Sequence, residues 1–261
     1  MAKPVIWITG GSSGIGEAAA RKFSKEGYSL ILSSRNLQEL ERVKANCTFP
    51  EDIRILPLDL ADSSDFDQKV VIALSFFGKV DMLLHNGGIS QRSLIKDTQL
   101  EVDRKLMEVN YFGTVALTKA LLPHFIERKK GQFGVVTSLV GKFGSPYRSS
   151  YAGAKHALHG FFDTLRAEHH QDGISVTLIC PGFIRTKVSI NAVTGDGSPL
   201  GEMDQAQDQG MSPEACSEGI FKALVKKKEE VYIGGKETLA VYLKRFLPGL
   251  FSKILRSAKV R

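Results

Sequence analysis

Short apolar runs alternate with longer amphipathic stretches along the chain. The runs at 5–9 (VIWIT), 29–33 (SLILS), 53–58 (IRILPL), 82–84 (MLL), 134–138 (GVVTS) and 176–180 (VTLIC) are brief and apolar on both faces, and 231–233 (VYI) adds a last one. Parallel strands buried between helices need that pattern. Between them, 16–26, 37–45, 65–77, 100–122 and 151–169 read as helices. The alternation predicts an α/β fold built on a doubly wound parallel sheet flanked by helices.

No internal repeat, low-complexity block or linker interrupts the series, so 1–261 is expected to form a single domain. One long irregular stretch, 189–210, is rich in Gly, Asp, Gln and Asn. It ends where Ser212-Pro213-Glu214 supplies an N-cap followed by Pro at the first helical position. A loop of this length inside a compact domain usually binds or covers something; 189–212 is expected to cover the substrate.

Composition narrows the class. A hydrophobic fraction of 43% with 24% charged residues excludes a disordered chain. Cys47, Cys180 and Cys216 are odd in number and lack Cys-x-x-Cys spacing. Neither a disulfide framework nor a zinc site is indicated, which suits a reducing compartment. The apolar run after the N-terminus is too short for a signal peptide, and none is long enough to span a bilayer. A cytoplasmic location is expected. The net charge of +7 permits an anionic partner, but the clusters Arg128-Lys129-Lys130 and Lys226-Lys227-Lys228 fall at helix ends, where cations complement the dipole. No nucleic-acid-binding pattern accompanies them. The histidines form no metal set: His156 and His159 share a helix and His169-His170 are adjacent, without a completing carboxylate or cysteine, so solvated or capping roles are expected.

The first strand runs directly into Thr9-Gly10-Gly11-Ser12-Ser13-Gly14-Ile15-Gly16, and a helix follows at once. Glycines let the backbone turn sharply and approach a ligand, and the free N–H groups of the helix start favour an anion. This is the pyrophosphate-binding turn of a Rossmann-type sheet. At the end of the second strand a carboxylate would select NAD(H) by accepting from the adenosine ribose. The chain has Ser33-Ser34-Arg35-Asn36 instead. Arg35 suits a 2′-phosphate by charge and fork geometry, so NADP(H) is favoured over NAD(H).

The stretch SSYAGAKH places Tyr151 one helical turn before Lys155 among small residues. A phenol protonates the alkoxide left by hydride transfer to a ketone, and the neighbouring ammonium with an oxidised nicotinamide is expected to lower its pKa from about 10. Tyr151 is then general acid in reduction and general base in oxidation. Ser138, at the end of a strand, can hydrogen-bond the substrate oxygen.

The ordered set of motifs resembles the short-chain dehydrogenases/reductases in their single-domain form. It runs from the glycine turn through Asp59, His85-Asn86-Gly87-Gly88, Asn110, Ser138 and Tyr151-x-x-x-Lys155 to Pro181-Gly182. The family usually shows Asn-Asn-Ala-Gly where this chain has His85 and Gly87 around Asn86, in the segment that backs the adenosine and central strand. The resemblance implies that Asn110 holds a water linking Lys155 to solvent and that Lys155 bonds the nicotinamide ribose. It implies further that Ile184 and Thr186, after Pro181-Gly182, grip the carboxamide, and that Asp59, with Leu60, lies near the adenine. Asn86 and Gly88 complete the implied cofactor contacts, and a homodimer or homotetramer is implied. Runs such as NYFGTVALTKALLP and LAVYLKRFLPGLF are similar to the member seven-B branch. That likeness implies a lipid ketone such as acyl-dihydroxyacetone phosphate; its members carry an N-terminal membrane segment without counterpart here. The expected function is NADP(H)-dependent carbonyl reduction. NAD-linked alcohol oxidation and a non-catalytic NADPH-binding sensor or scaffold stand as alternatives.

The segment 239–261 carries Lys244, Arg245, Lys253, Arg256, Lys259 and Arg261 and no acidic residue. Leu247, Leu250, Phe251, Ile254 and Leu255 recur at helical spacing. Such a basic amphipathic helix can lie on an anionic membrane, on its own domain or on a second subunit.

Overall fold

A computed structural model describes residues 3–257. Seven parallel strands form one sheet in the order β3-β2-β1-β4-β5-β6-β7. They are β1 (Val5–Thr9), β2 (Ser29–Ser33), β3 (Ile53–Ile55), β4 (Met82–His85), β5 (Gly131–Val136), β6 (Ile174–Pro181) and β7 (Glu230–Ile233). The helices are α1 (Gly14–Lys25), α2 (Leu37–Ala45), α3 (Phe66–Phe77), α4 (Leu100–Met107), α5 (Gly113–Glu127), α6 (Ser149–Glu168), α7 (Gln205–Asp208), α8 (Pro213–Val225), α9 (Leu239–Phe246) and α10 (Pro248–Ser257).

Strand alternation sends successive residues to opposite faces, and each face has its own core. Trp7, Ile31, Leu83, Phe133 and Leu178 pack with Phe66 and Val70 of α3, Leu117 and Leu121 of α5 and Leu158 and Phe162 of α6. Ile6, Ile8, Leu30, Leu84 and Ile179 face Ala19 and Phe23 of α1, Leu40 of α2 and Ile220 and Leu224 of α8. The order reverses between β1 and β4, so the connections leaving these two strands diverge and open a crevice at their carboxyl ends.

Four elements differ from the sequence expectation. β5 covers Gly131–Val136 rather than 134–138, because pairing with β6 starts at Gly131 and Ile174. The polar Gln132 is accommodated by donating from Nε2 to the Leu224 carbonyl at 3.0 Å. β3 stops at Ile55, short of Leu58, although Leu56 N and Leu58 N still donate to the Leu32 and Ser34 carbonyls at 3.0 and 3.2 Å. The expected helix 100–122 is divided by a π-helical turn at Glu108–Phe112, and helical structure continues through Pro123 to Glu127. The irregular loop is organised: Ser189, Ala192, Val193 and Asp204 are buried, and α7 lies within it.

The C-terminal apolar face is also not one surface. Phe251, 5% exposed, turns inward against Leu139, Phe143, Cys180 and Val241, with Leu255 beside them. Leu247, Leu250 and Ile254 are about half exposed. Lys259 and Arg261 lie outside the described residues.

Candidate active site

The crevice above β1 and β4 is a cleft of about 900 Å³. Its walls bring together Gly10, Ser12, Ser13, Gly14 and Ile15 of the glycine turn with Arg35, Asp59 and Leu60 from the ends of β2 and β3. Asn86 and Gly88 follow β4, Ser138 follows β5, Tyr151 and Lys155 come from α6, and Pro181, Gly182, Ile184 and Thr186 follow β6. Residues far apart in sequence converge because each of them ends or follows a strand at its carboxyl end or opens the next helix.

The glycine turn is held by short-range geometry. Gly10 has φ +65°, and a side chain there would begin 2.7 Å from Gly87 Cα. At Gly16 it would begin 2.1 Å from the Gly10 carbonyl oxygen, so only hydrogen fits. Asn86 ties the neighbouring loop to this turn, donating from Nδ2 to the carbonyls of Thr9 (3.2 Å) and Gly10 (3.1 Å). Ser13 stands at the N-cap of α1 without a capping side-chain bond, so its hydroxyl does not take up the first N–H groups of the helix. Such a turn can hold an anion such as a pyrophosphate.

Asp59 turns partly back on its own backbone, where Oδ1 accepts from Ala61 N at 3.0 Å. Arg35 is exposed on the cleft wall just beyond β2. Thr186 faces Gly14 across the cleft, its methyl 3.1 Å from where a side chain on Gly14 would begin. The Ile184 carbonyl accepts from Gln207 Nε2 at 2.9 Å.

Ser138 lies past the strand and caps a tight turn at Leu139–Gly141, accepting from Val140 N at 3.3 Å. Tyr151 and Ser138 line the same wall of the cleft, with Ser138 near enough to favour the ionised phenol. Lys155 is buried and donates from Nζ to the Val136 carbonyl at 2.9 Å, with Nζ 5.7 Å from the Tyr151 ring centroid. Asn110 occupies the π-helical turn, a distortion frequent at functional sites. Its amide is clamped by Ile89, accepting from Ile89 N at 2.9 Å and donating to Ile89 O at 3.0 Å. A side chain on Gly88 would begin 2.5 Å from Asn110 Oδ1 and 3.7 Å from Lys155 Nζ, so these three residues share one small space.

The sequence profile of the short chain dehydrogenase family matches residues 4–196. The chain belongs to that family. Dehydrogenase/reductase SDR family member 7B of Mus musculus is 43% identical to it, covering 97% of this chain and 80% of that protein. Among solved structures, a short-chain dehydrogenase from Streptomyces avermitilis matches with TM-score 0.83 at 26% identity, covering 98% of this chain and 96% of its own. An alcohol dehydrogenase from Thermococcus sibiricus complexed with 5-hydroxy-NADP gives TM-score 0.75 at 26% identity, covering 90% and 97%. This short-chain dehydrogenase is therefore an NAD(P)-dependent oxidoreductase by family, acting on small molecules at CH–OH or C=O groups.

The electrostatics differ from expectation at Tyr151. Burial dominates and raises its pKa above 10, while Ser138 and the cations Arg92 and Arg148 pull it down. The expected lowering by Lys155 does not prevail: its ammonium is directed to Val136, and burial pushes Lys155 itself down to about 8. The balance from the chain's own groups keeps the phenol protonated.

Sequence inspection missed a buried charge cluster beside this tyrosine. Arg92, Arg148 and Asp204 are 4%, 6% and 4% exposed. Arg92 donates from Nε to Asp204 Oδ2 at 2.7 Å, and Arg148 Nη2 lies 3.3 Å from the same oxygen. No periodicity or motif marks these residues; only the fold pairs them.

The histidines divide. His156 is exposed, and His169 closes α6 with Nδ1 2.9 Å from Asp172. His85 and His159 contradict the solvated expectation. His85 is buried in the core at 2.8 Å from Thr118 Oγ1, stacked on Phe133, and its pKa is pushed down to about 3 by desolvation. It is thus a packing residue behind the strand, while Asn86, Gly87 and Gly88 face the cleft. His159 is buried with Cys180 and Glu230 in one group whose ligand-type atoms lie within 4.8 Å of one another, a convergence the sequence concealed. Glu230 there already accepts from Lys142 Nζ at 2.8 Å and from the Tyr232 hydroxyl.

Proposed function

We propose that this chain is an NADPH-dependent carbonyl reductase that converts a ketone to a secondary alcohol. The observation that carries the proposal is the convergence of Tyr151, Ser138 and buried Lys155 on the same cleft wall, with the glycine turn in that cleft. When bound, the dinucleotide supplies the hydride that goes to the carbonyl carbon. Gly10, Ser12, Ser13, Gly14, Ile15 and Gly16 hold its pyrophosphate, and Arg35 faces the adenosine 2′-phosphate. Asp59, Leu60, Asn86 and Gly88 line the adenosine side; Lys155, Pro181, Gly182, Ile184 and Thr186 line the nicotinamide side.

Tyr151 donates its proton to the carbonyl oxygen as the hydride arrives, so the alkoxide never accumulates. Ser138 stabilises the developing negative charge by donating to the same oxygen. Lys155 returns a proton to the phenolate and is recharged from solvent through a water that Asn110, fixed by its two bonds to Ile89, holds in place. A raised phenol pKa favours this direction, because the acid form is the resting form.

The substrate class suggested by the seven-B likeness is a lipid ketone such as acyl-dihydroxyacetone phosphate, with the 189–212 loop as its cover. NADPH oxidation by the purified protein is to be followed over small sugars, quinones, steroids and acyl-dihydroxyacetone phosphate, with Tyr151→Phe alongside. Turnover confined to lipid ketones and abolished in the variant is expected. Tight NADPH binding without turnover on any carbonyl, or turnover equal in Tyr151→Phe, removes the proposal.

A further inference from the structure

The helices α9 and α10 form a hairpin joined at Leu247, where Pro248 starts the second helix. One side is fixed to the body: Phe251 meets the Phe143 ring at 5.1 Å, edge to face, and Val241 is buried beside it. Large apolar side chains beside this docked face are not covered. Leu239 is 64%, Phe246 73% and Leu247 54% exposed, with Leu250 and Ile254 at 49%. Isolated exposed apolar side chains are ordinary, but a contiguous set of large ones is not.

A second, unconnected segment lies against the hairpin. The turn at Ile95–Asp97 carries Ile95, 78% exposed, next to Leu94 at 39%. An apolar groove of about 680 Å³ is lined by Leu94, Ile95 and Lys96 of the turn, by residues of the 144–152 segment, and by Lys244, Phe251 and Leu255 of the hairpin. Two apolar ridges from distant parts of the sequence therefore border one groove.

The charge around it has one dominant sign. Lys244, Arg245, Lys253 and Arg256 are exposed on the hairpin, which has no acidic residue from 239 to 257, and Lys96 stands on the turn with Asp97 beside it. Protein–protein interfaces are depleted in lysine at their apolar centres. A surface lying in the headgroup region of a bilayer favours the opposite arrangement, with large apolar side chains entering the acyl boundary and lysine and arginine meeting lipid phosphates. Among the described residues no helix is long and apolar enough to cross a membrane.

We propose that the α9–α10 hairpin and the Leu94–Ile95 turn together form a docking surface for an anionic membrane, with Phe246, Leu247, Leu250, Ile254 and Ile95 entering the acyl boundary. The hairpin is pinned by Phe251, so the surface is preformed. This proposal does not depend on the carbonyl reaction.

The test is co-sedimentation of the full chain with phosphatidylcholine vesicles and with vesicles that also contain phosphatidylserine, at low and high salt. Binding to the anionic vesicles, weakened by salt, is expected. Phe246→Ser combined with Leu250→Ser should weaken it about tenfold or more, since two large apolar groups leave the bilayer. Ile95→Ser alone should weaken it about threefold by the same reasoning, because the turn belongs to the surface. Lys253→Glu with Arg256→Glu should remove the preference for anionic lipid. These side chains are exposed, and unchanged circular dichroism and melting temperature confirm that each variant is folded. The proposal is overturned by equal absence of binding to both vesicle types, or by binding that the Phe246/Leu250 variant retains. It is equally overturned if light scattering shows a dimer that the same variant dissolves without any vesicle binding; the surface then seats a second copy of this chain.

Discussion

Arg92 and Asp204, 112 residues apart in sequence, meet as a buried ion pair with Nε 2.7 Å and Nη2 2.5 Å from one carboxylate oxygen. Their side chains are 2% and 1% exposed. Arg92 N also donates to the Val193 carbonyl, and Val193 N to that of Ser90, both at 2.9 Å, so the segment after β4 is bolted to the 189–212 loop. Arg148, just before α6, reaches the same carboxylate. Three segments around Tyr151 thus depend on one negative charge.

Removing that charge should be costly. Asp204→Asn leaves two buried guanidinium groups facing a neutral amide, and breaking a buried pair from one side costs about 3–5 kcal/mol. Urea denaturation of the variant should show a loss of that order. A loss below about 1 kcal/mol would mean that water or rearrangement replaces the pair.

Lys155 presents the opposite case, a group whose burial weakens the fold. Its pKa of 10.5 in the unfolded chain is lowered to about 8 by desolvation. Below pH 8 both states are protonated, and folding bears the full cost of the buried ammonium. Between about 8 and 10.5 the folded state releases its proton first, so this group's contribution to stability rises with pH; above 10.5 the cost is gone. Lys155→Met should therefore be more stable than the parent at pH 7, by about 2 kcal/mol after allowing for the lost bond to Val136. The gain should vanish by about pH 10.5, and activity should be lost. Denaturation at the two pH values decides the matter; a variant less stable at pH 7 refutes it.

The order of elements and most of the cleft were legible because local signals and tertiary position agree. A β-branched apolar run followed by glycine and a helix start has few other solutions, so Gly10 through Gly16 announce the turn. Tyr151 and Lys155 are local to one helix, and their spacing alone places them on one face. Gln132 hid the start of β5 because a polar residue in a strand is read as a boundary, yet the Leu224 carbonyl satisfies it. The π-helical turn at Asn110 depends on the clamp from Ile89, a tertiary contact. Arg92, Asp204, His159 and Glu230 were illegible for the same reason: their partners are distant in sequence, and a charged residue on its own reads as surface.

Arg35 should act on one cofactor and not the other. It is exposed at the cleft wall, where a guanidinium can pair with a phosphate yet remain partly screened. Arg35→Ala is expected to weaken NADPH binding about tenfold at moderate salt and to leave NADH affinity nearly unchanged. Fluorescence titration with both dinucleotides measures this directly. Equal losses for both would assign Arg35 to the loop's structure and withdraw it as the discriminator.

The two directions of the reaction should respond to pH in opposite ways. Ser138, Arg92 and Arg148 pull the Tyr151 phenol down and burial outweighs them, so its pKa lies above the ordinary 10. Reduction uses the protonated phenol, which is the form present at neutral pH. Its rate at saturating NADPH should be flat from about pH 6 to 7.5, below the range in which Lys155 titrates. Oxidation of the corresponding alcohol uses the phenolate, a minor form whose population grows about tenfold per pH unit. That rate should climb steadily through the same range and beyond. Steady-state rates in both directions, with one carbonyl–alcohol pair, provide the comparison. A reduction rate that falls with a midpoint near 7 would show that Tyr151 is already ionised there, and the raised pKa would have to be abandoned.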